Sequence, residues 1–219
     1  MEWAQVLGMR PGVTAVIGGG GKTTLLRTAG ETLAAAGFNV LLCATAKIYP
    51  FSDLPCVTEP GEAPLLAARA QGRLICAGTL LDNEKLTAPA VPMARLKVLF
   101  DYVLVEADGS AHLPLKAHAP HEPVIPPEAE RTICVVGASG FGRPIREAAH
   151  RPERYAALAG VGEDDLVTPR IAAAVLRAEG LHTGILVNQA ELAAVQAREL
   201  VRLLDCPAVA GSLKLGKIF

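Results

Sequence analysis

The sequence predicts an α/β fold in which helices cover both faces of a mostly parallel sheet. Three observations lead there. Short β-branched runs alternate with longer Ala/Leu/charged segments, the pattern of strands joined by crossover helices. Of the 219 residues 51% are hydrophobic and only 4% aromatic, which supplies a large, mainly aliphatic core. The first aliphatic run is followed at once by four glycines and a helical pattern.

The elements follow in chain order. Val13–Ile17 reads as the first strand, and Lys22–Ala36 as the helix after it, stopped by Gly37. Further strands are expected at Asn39–Ala44, Arg73–Ala77, Tyr102–Ala107, Thr132–Val136, Thr183–Val187 and Pro207–Ala210, all in one buried sheet. Pro169–Ala178, closed by Gly180, and Ala190–Leu204 read as amphipathic helices, the latter leaving Glu191, Arg198, Glu199 and Arg202 to solvent. The proline-dense stretches Tyr49–Glu62 and Ala111–Pro127 are expected to be ordered loops, and such loops often carry function. The length suits one domain spanning 1–219, with the Arg- and Gly-rich region 139–165 as a candidate small insertion packed on the sheet.

Composition excludes several classes of partner. With 21 basic and 22 acidic residues the formal charge is −1, with no basic arm for nucleic acid and no polybasic membrane anchor. No apolar run reaches the roughly 18 residues a bilayer span needs, and Met1–Arg10 lacks the form of a signal peptide, so a cytoplasmic location is expected. Five scattered cysteines, Cys43, Cys56, Cys76, Cys134 and Cys206, contain no Cys-x-x-Cys pair and are read as buried thiols.

The most specific motif is Ile17-Gly-Gly-Gly-Gly-Lys-Thr-Thr24, between a strand and a helix. Glycines at Gly18, Gly19, Gly20 and Gly21 let backbone N–H groups converge on phosphate oxygens, and the helix N-terminus adds partial positive charge. Lys22 would reach the β- and γ-phosphates of ATP or GTP, the Thr23 hydroxyl would complete Mg²⁺ coordination, and Thr24 belongs to the same helix start. The common spacing would put its first glycine at Val16, so one turn of the loop is expected to differ. These features turn the α/β expectation into a three-layer α/β/α fold of the P-loop NTPase type.

A phosphate loop calls for a carboxylate from a neighbouring strand. Asp101–Ser110 ends Val105-Glu-Ala-Asp-Gly-Ser110, and Glu106 and Asp108, two residues apart, are expected on the same side. Asp108 is assigned to Mg²⁺ with Thr23, and Glu106 to orienting water or supporting the metal shell. At the next strand exit Thr45 and Lys47 would face the γ-phosphate or a second substrate. Asn188-Gln-Ala-Glu191 resembles the Asn-Lys-x-Asp base-reading motif of GTPases, with Gln189 and Glu191 in place of Lys and Asp. A strand-to-helix turn capped by Asn188 explains the same residues. Lys116, His121, Glu122, His150 and Arg151, stiffened by prolines, form a polar set suited to a second, anionic ligand or to bracing a long loop. His118, His121 and Glu122 match no known zinc spacing.

Taken together the chain resembles the YqeC family, named as accessory proteins of selenium-dependent molybdenum hydroxylases. The resemblance rests on the glycine loop, on Val105–Ser110, on Leu115-Lys-Ala-His-Ala-Pro-His-Glu-Pro-Val-Ile-Pro126 and on His150-Arg-Pro-Glu153. It implies a phosphate-loop nucleotide-binding protein acting beside a molybdenum hydroxylase, or on its cofactor, during maturation, with no reaction assigned. Three activities fit the residues: a Mg²⁺-dependent NTPase, a kinase or ATP-dependent ligase with a small acceptor, and a nucleotide-gated binding module without turnover.

Overall fold

The computed structural model describes residues 3–51, 53–59 and 61–219. In chain order the elements are α1 (Trp3–Val6), β1 (Gly12–Gly18), α2 (Lys22–Ala35), β2 (Val40–Ala44), β3 (Cys56–Val57), α3 (Glu62–Gln71) and β4 (Leu74–Ala77). The hairpin β5 (Thr79–Leu80) and β6 (Leu86–Thr87) follows, then α4 (Met93–Leu99), β7 (Tyr102–Glu106), β8 (Leu115–Lys116) and β9 (Ala129–Gly137). The last part runs α5 (Ile145–Ala148), β10 (Ala149–His150), α6 (Pro152–Ala159), α7 (Pro169–Glu179), β11 (Gly184–Asn188), α8 (Ala194–Leu203), β12 (Ala208–Ser212) and β13 (Lys217–Ile218).

All seven expected strands lie in one nine-stranded sheet of order β13-β12-β11-β9-β1-β7-β2-β4-β3. Every neighbouring pair is parallel except β12 and β13. The two strands of this sheet that sequence reading missed, β3 and β13, are two-residue edges, too short to show an alternating pattern.

The period of two sorts the core. In β1, Val13, Ala15 and Ile17 point to one face and Val16 to the other. Leu41 and Cys43 of β2 and Val103 and Val105 of β7 join the first face, whereas Leu42 and Leu104 join the second. The second face is covered by α1 and α2 through Trp3, Leu25, Leu26, Ala29 and Leu33. The first is covered by α3 and α4 at one end and by α5 to α8 at the other. Three layers result, and the central strands are buried on both sides, which is why they read as continuous aliphatic runs.

Local chemistry explains several boundaries. The Thr168 hydroxyl accepts from the Ile171 N–H at 3.2 Å, Pro169 opens α7, and Gly180 closes it in the left-handed region. The expected helix Ala190–Leu204 is divided: Gln189 sits at φ 60°, a 3₁₀ turn spans Ala190–Leu192, and Ala193 at φ −153° restarts the chain as α8. The stretch Tyr49–Glu62, expected as loop throughout, contributes β3 and the first residue of α3, while its Ser52 and Pro60 lie outside the described residues. Within Ala111–Pro127, Leu115–Lys116 forms β8 and pairs in parallel with β10. Region 139–165 folds as α5, β10 and α6, and its Ile145, Ala148, Tyr155 and Ala156 are buried in the core that α7 shares. Cys43, Cys76 and Cys134 are buried as expected, but Cys56 and Cys206 are only half-buried, and all five are free.

The chain reverses its direction of travel across the sheet around β1: β2, β4 and β3 lie beyond β7 on one side, and β9, β11 and β12 on the other. Such a reversal opens a crevice at the carboxyl ends of the strands.

Leu104 is fully buried at the centre of β7. Leu104→Ala is expected to lower unfolding free energy by about 2–5 kcal/mol, whereas Val98→Ala, at a site 69% exposed on α4, should change it by less than about 0.5 kcal/mol. Urea denaturation of both variants measures the contrast.

Candidate active site

β1 ends at Gly18, and Gly19, Gly20 and Gly21 carry the chain into α2 at Lys22. Glycine is required where the loop packs on itself. Gly20 has φ 77° and lies so close to Gly137 that a Cβ would collide with its backbone, and Gly21 has φ 121° with a Cβ site 2.7 Å from Asn188 Nδ2.

The amides divide differently from the sequence expectation. Those of Gly18, Gly19 and Gly20 are already committed, to Asp108 Oδ2 at 2.9 Å, to the Val135 carbonyl at 2.9 Å and to the Leu113 carbonyl at 3.2 Å. Among the described residues no acceptor meets the N–H groups of Gly21, Lys22, Thr23 and Thr24, and Gly21 caps α2 without a side-chain bond. The anion-ready donors therefore sit at the helix start, and the earlier glycines build the wall that holds it. A cleft of about 590 Å³ opens in front of them, lined by Gly20, Gly21, Lys22, Thr23, Thr24, Glu106 and Ser110.

Lys22 is 4% exposed. Its ammonium donates to the Gly18 carbonyl at 2.7 Å and to Ser110 Oγ at 3.3 Å, and stands 3.2 Å from Asp108 Oδ1 and 3.8 Å from Glu106 Oε1. Glu106 and Asp108 thus reach the same side, as their spacing requires. Their surroundings differ. Thr23 donates its hydroxyl proton to Glu106 Oε2 at 2.8 Å, so Glu106, not Asp108, is the carboxylate beside Thr23. Burial is the largest influence on Glu106 and lifts its carboxyl above the usual range, although Lys22 and the Thr23 hydroxyl pull it back.

Asp108 lies beneath the loop, 1% exposed. Oδ2 receives the Gly18 amide, faces His118 Nε2 at 2.6 Å and stands 3.3 Å from Lys116 Nζ. Burial alone would raise its pKa, but the His118 bond, Lys22, Lys116 and the Gly18 amide outweigh burial and hold it below the usual carboxylate range. Oδ1 is buried and, although near Lys22, has no aligned hydrogen-bond donor. His118 continues the chain of contacts: Nδ1 lies 2.8 Å from Glu179 Oε2, at the end of α7, and its backbone N–H donates to Glu179 Oε1 at 2.6 Å. Burial disfavours a charged ring there, yet the two carboxylates prevail and raise the imidazole pKa.

Lys116 has no exposed side-chain surface; it pairs with Asp108, stands 2.8 Å from Glu122 Oε1 and donates to the Gly109 carbonyl. Arg151, the left-handed residue that opens α6, also binds Glu122. Four basic groups (Lys22, Lys116, His118, Arg151) therefore meet four carboxylates (Glu106, Asp108, Glu122, Glu179) in one connected cluster.

The remaining expected site residues are dispersed. Asn188 Nδ2 donates to the Gly20 carbonyl at 2.8 Å and its Oδ1 accepts from the Leu213 N–H at 3.0 Å, so it ties the loop to the exit of β12. Glu191 is half-buried with Oε2 unpartnered, and Gln189 lines the cleft while accepting from the Ser139 hydroxyl at 2.6 Å. Thr45 donates its hydroxyl to the Val124 carbonyl at 2.6 Å, whereas Lys47 is exposed and lines the cleft. His121 is exposed, and His150 is half-buried with Nδ1 unpartnered, its pKa lowered by burial and by Arg151 and Lys116. Of the polar set Lys116, His121, Glu122, His150 and Arg151, read as an anion site or as a loop brace, Lys116 and Arg151 are both engaged by Glu122, and His121 alone is exposed.

Sequence reading missed His118 as a partner of Asp108, and Glu179 altogether. Glu179 sits before a helix-ending glycine, where acidic residues are ordinary, and only the tertiary fold brings it 61 positions back to His118.

Thr23 and Glu106 offer hard oxygen donors at the cleft, which suit Mg²⁺, a cation that keeps most of its water and takes few protein ligands. Among the described residues no group of three or more His, Cys, Asp or Glu is arranged to hold a metal ion, and no helix is long and apolar enough to cross a membrane.

The family model described as YqeC protein matches residues 14–153. A curated relative from Escherichia coli (strain K12), called uncharacterized protein YqeC, is 34% identical over 162 residues, which cover 71% of this chain and 63% of the relative. The aligned part therefore spans less than two thirds of that relative's length. Among solved structures, the hydrogenase maturation factor HypB from Archaeoglobus fulgidus has 16% identity, covers 97% of this chain and 87% of its own, and gives a TM-score of 0.45. HypB from Helicobacter pylori in complex with nickel has 12% identity, covers 96% and 82%, and gives 0.40.

Replacing Lys116 by methionine leaves Asp108 and Glu122 each short of a cation in a buried setting, and Lys116→Met should cost about 3–5 kcal/mol of stability. Chemical denaturation that matched wild type would show that the cluster is not held together through this ammonium.

Proposed function

The chain belongs to the YqeC family, and from that premise we propose that it binds a Mg²⁺–nucleoside triphosphate at Gly18–Thr24, hydrolyses it, and acts as an accessory protein in maturation of a molybdenum hydroxylase. One observation carries the nucleotide part. The uncapped start of α2 presents unpartnered amides beside a buried ammonium and a Thr23–Glu106 pair, all facing one cleft. The accessory role is supported by the family resemblance. The distinctive segments Leu115–Pro126 and His150–Glu153 supply Lys116, His118, Glu122 and Arg151, which brace Asp108 under the loop.

In this reading the amides of Gly21 to Thr24 bind the β- and γ-phosphates. Lys22, released from the Gly18 carbonyl, follows the charge that develops on the β–γ bridging oxygen as water displaces nucleoside diphosphate from the γ-phosphorus. Asp108 acts through Lys22, holding the ammonium beneath the loop until phosphate competes for it. Thr23 and Glu106 would hold Mg²⁺, which would supply neutralising charge to the phosphate oxygens. The Asn188 bridge fixes the loop against β12, and the unpartnered Glu191 oxygen is an acceptor suited to base N–H groups. Paired titrations with ATP and GTP decide the base.

A second reading, phosphoryl transfer or ligation to a small acceptor, is favoured by one feature: the cleft continues past the phosphate loop to Lys47 and Lys85.

Lys22→Ala is expected to weaken Mg²⁺–nucleotide binding by about 100-fold, the worth of a charge-assisted contact to phosphate. Glu106→Gln should keep nucleotide affinity in the absence of Mg²⁺ but lose the gain that Mg²⁺ provides, together with phosphate release. Calorimetry and a phosphate-release assay test both. Wild-type affinity in Lys22→Ala would overturn the site, and an undiminished Mg²⁺ effect in Glu106→Gln would remove Glu106 from the metal.

A further inference from the structure

The cleft in front of the phosphate loop is larger than the loop itself commands. Its far wall is built from residues 47–51 and the β5–β6 hairpin, and its lining carries Lys22, Lys47 and Lys85 against a single carboxylate, Glu106. That local excess of positive charge stands out in a chain of net charge −1.

The far wall is constructed, not incidental. Ile48 and Leu86 exchange backbone hydrogen bonds, Ile48 N–H to the Leu86 carbonyl at 3.0 Å and Leu86 N–H to the Ile48 carbonyl at 2.7 Å. This bridge ties the hairpin to the segment leaving β2 and sets Lys85 beside Tyr49. The Lys85 ammonium lies 4.8 Å from the centre of the Tyr49 ring, a cation–π contact that orients it, while the ring remains 62% exposed. Lys22, Lys97 and Lys116 are each paired with a carboxylate, whereas among the described residues neither Lys47 nor Lys85 has an ion-pair partner. In the same cleft lining Ala111 and His112 are both left-handed, at φ 49° and 61°, a conformation non-glycine residues adopt when the surroundings impose it. The turn, closed by Leu113 N–H to the Ser110 carbonyl at 2.9 Å, brings Ser110 and His112 into the cleft lining.

Two ammonium groups without ion-pair partners, lining one cleft together with a hydroxyl and an imidazole, offer the donors a compact dianion takes. We propose that Lys47 and Lys85 form a second anion site, which holds the phosphate-type group of a small acceptor or cargo molecule while the triphosphate occupies the loop. The inference rests on the nucleotide reading for its partner in the cleft, though not for the existence of the second site.

Inorganic phosphate is the probe. The protein is first saturated with a non-hydrolysable Mg²⁺–nucleoside triphosphate analogue, so that the loop is filled, and phosphate is then titrated by calorimetry at low salt. Wild type should bind one further phosphate. Lys47→Gln/Lys85→Gln should weaken that binding at least about 10-fold, and Lys214→Gln/Lys217→Gln, which removes equal charge from exposed positions, should leave it unchanged. Equal weakening in both double variants, equal binding in the first, or no phosphate bound by wild type overturns the proposal. If the analogue itself fails to bind, the nucleotide reading fails, and the titration is repeated on free Lys22→Ala. Phosphate that is retained there but lost in Lys47→Gln/Lys85→Gln supports the second site alone, and the reverse pattern overturns it. Circular dichroism confirms that each variant is folded.

Discussion

Burying a carboxylate under the glycine loop is the constraint from which the rest of the architecture follows. Asp108 sits on the strand exit next to β1, holds the Gly18 amide and faces the Lys22 ammonium, at almost complete exclusion from water. An isolated charge there would cost several kcal/mol, so the fold surrounds it with cations. Lys116 arrives on β8, His118 follows it, and each is in turn balanced by a carboxylate from a different helix or loop. The small β8–β10 ladder makes sense in that light: it fixes the segment that carries Lys116 against the segment that opens α6 with Arg151.

The same arrangement links elements far apart in the chain. Glu179 terminates α7, His118 belongs to the proline-rich segment, and Gly18 begins the loop, yet three hydrogen bonds join them in series through Asp108. Asn188 makes a parallel connection on the other flank, from Gly20 to Leu213. The glycine loop is thus held from two sides by groups that respond to distinct parts of the structure, and a ligand that draws Lys22 away from Asp108 alters the charge balance of the whole cluster.

How much of this was legible in the sequence depended on the range of the interaction. Seven of the nine sheet strands, α2 and α7 were readable because burial on both faces or on one stripe leaves a local periodic signature, as in Val13–Ile17 and Pro169–Ala178. The glycine loop with Lys22 and Thr23, and the reach of Glu106 and Asp108 to one side, were likewise local. The division of labour between the two carboxylates was not, because it is set by Thr23 and His118 approaching from opposite directions. Lys116, Glu122 and Arg151 were recognised as an unusual polar set, but anionic ligand and loop bracing stayed open as alternatives, since nothing in a proline-rich segment reveals which face turns inward. The helices α3 and α4 went unseen because short amphipathic stretches among prolines give too few turns to establish a period.

The margins of the sheet have a further consequence. β3 and β13 each contribute only two residues to the outer ladders, so a nine-stranded sheet finishes on both sides with very few unsatisfied peptide groups. A broad parallel sheet of aliphatic strands is otherwise an inviting template for intermolecular stacking. Brief terminal strands deny an incoming chain the length of ladder needed to dock, and so allow a wide, greasy interior without fibre-forming borders.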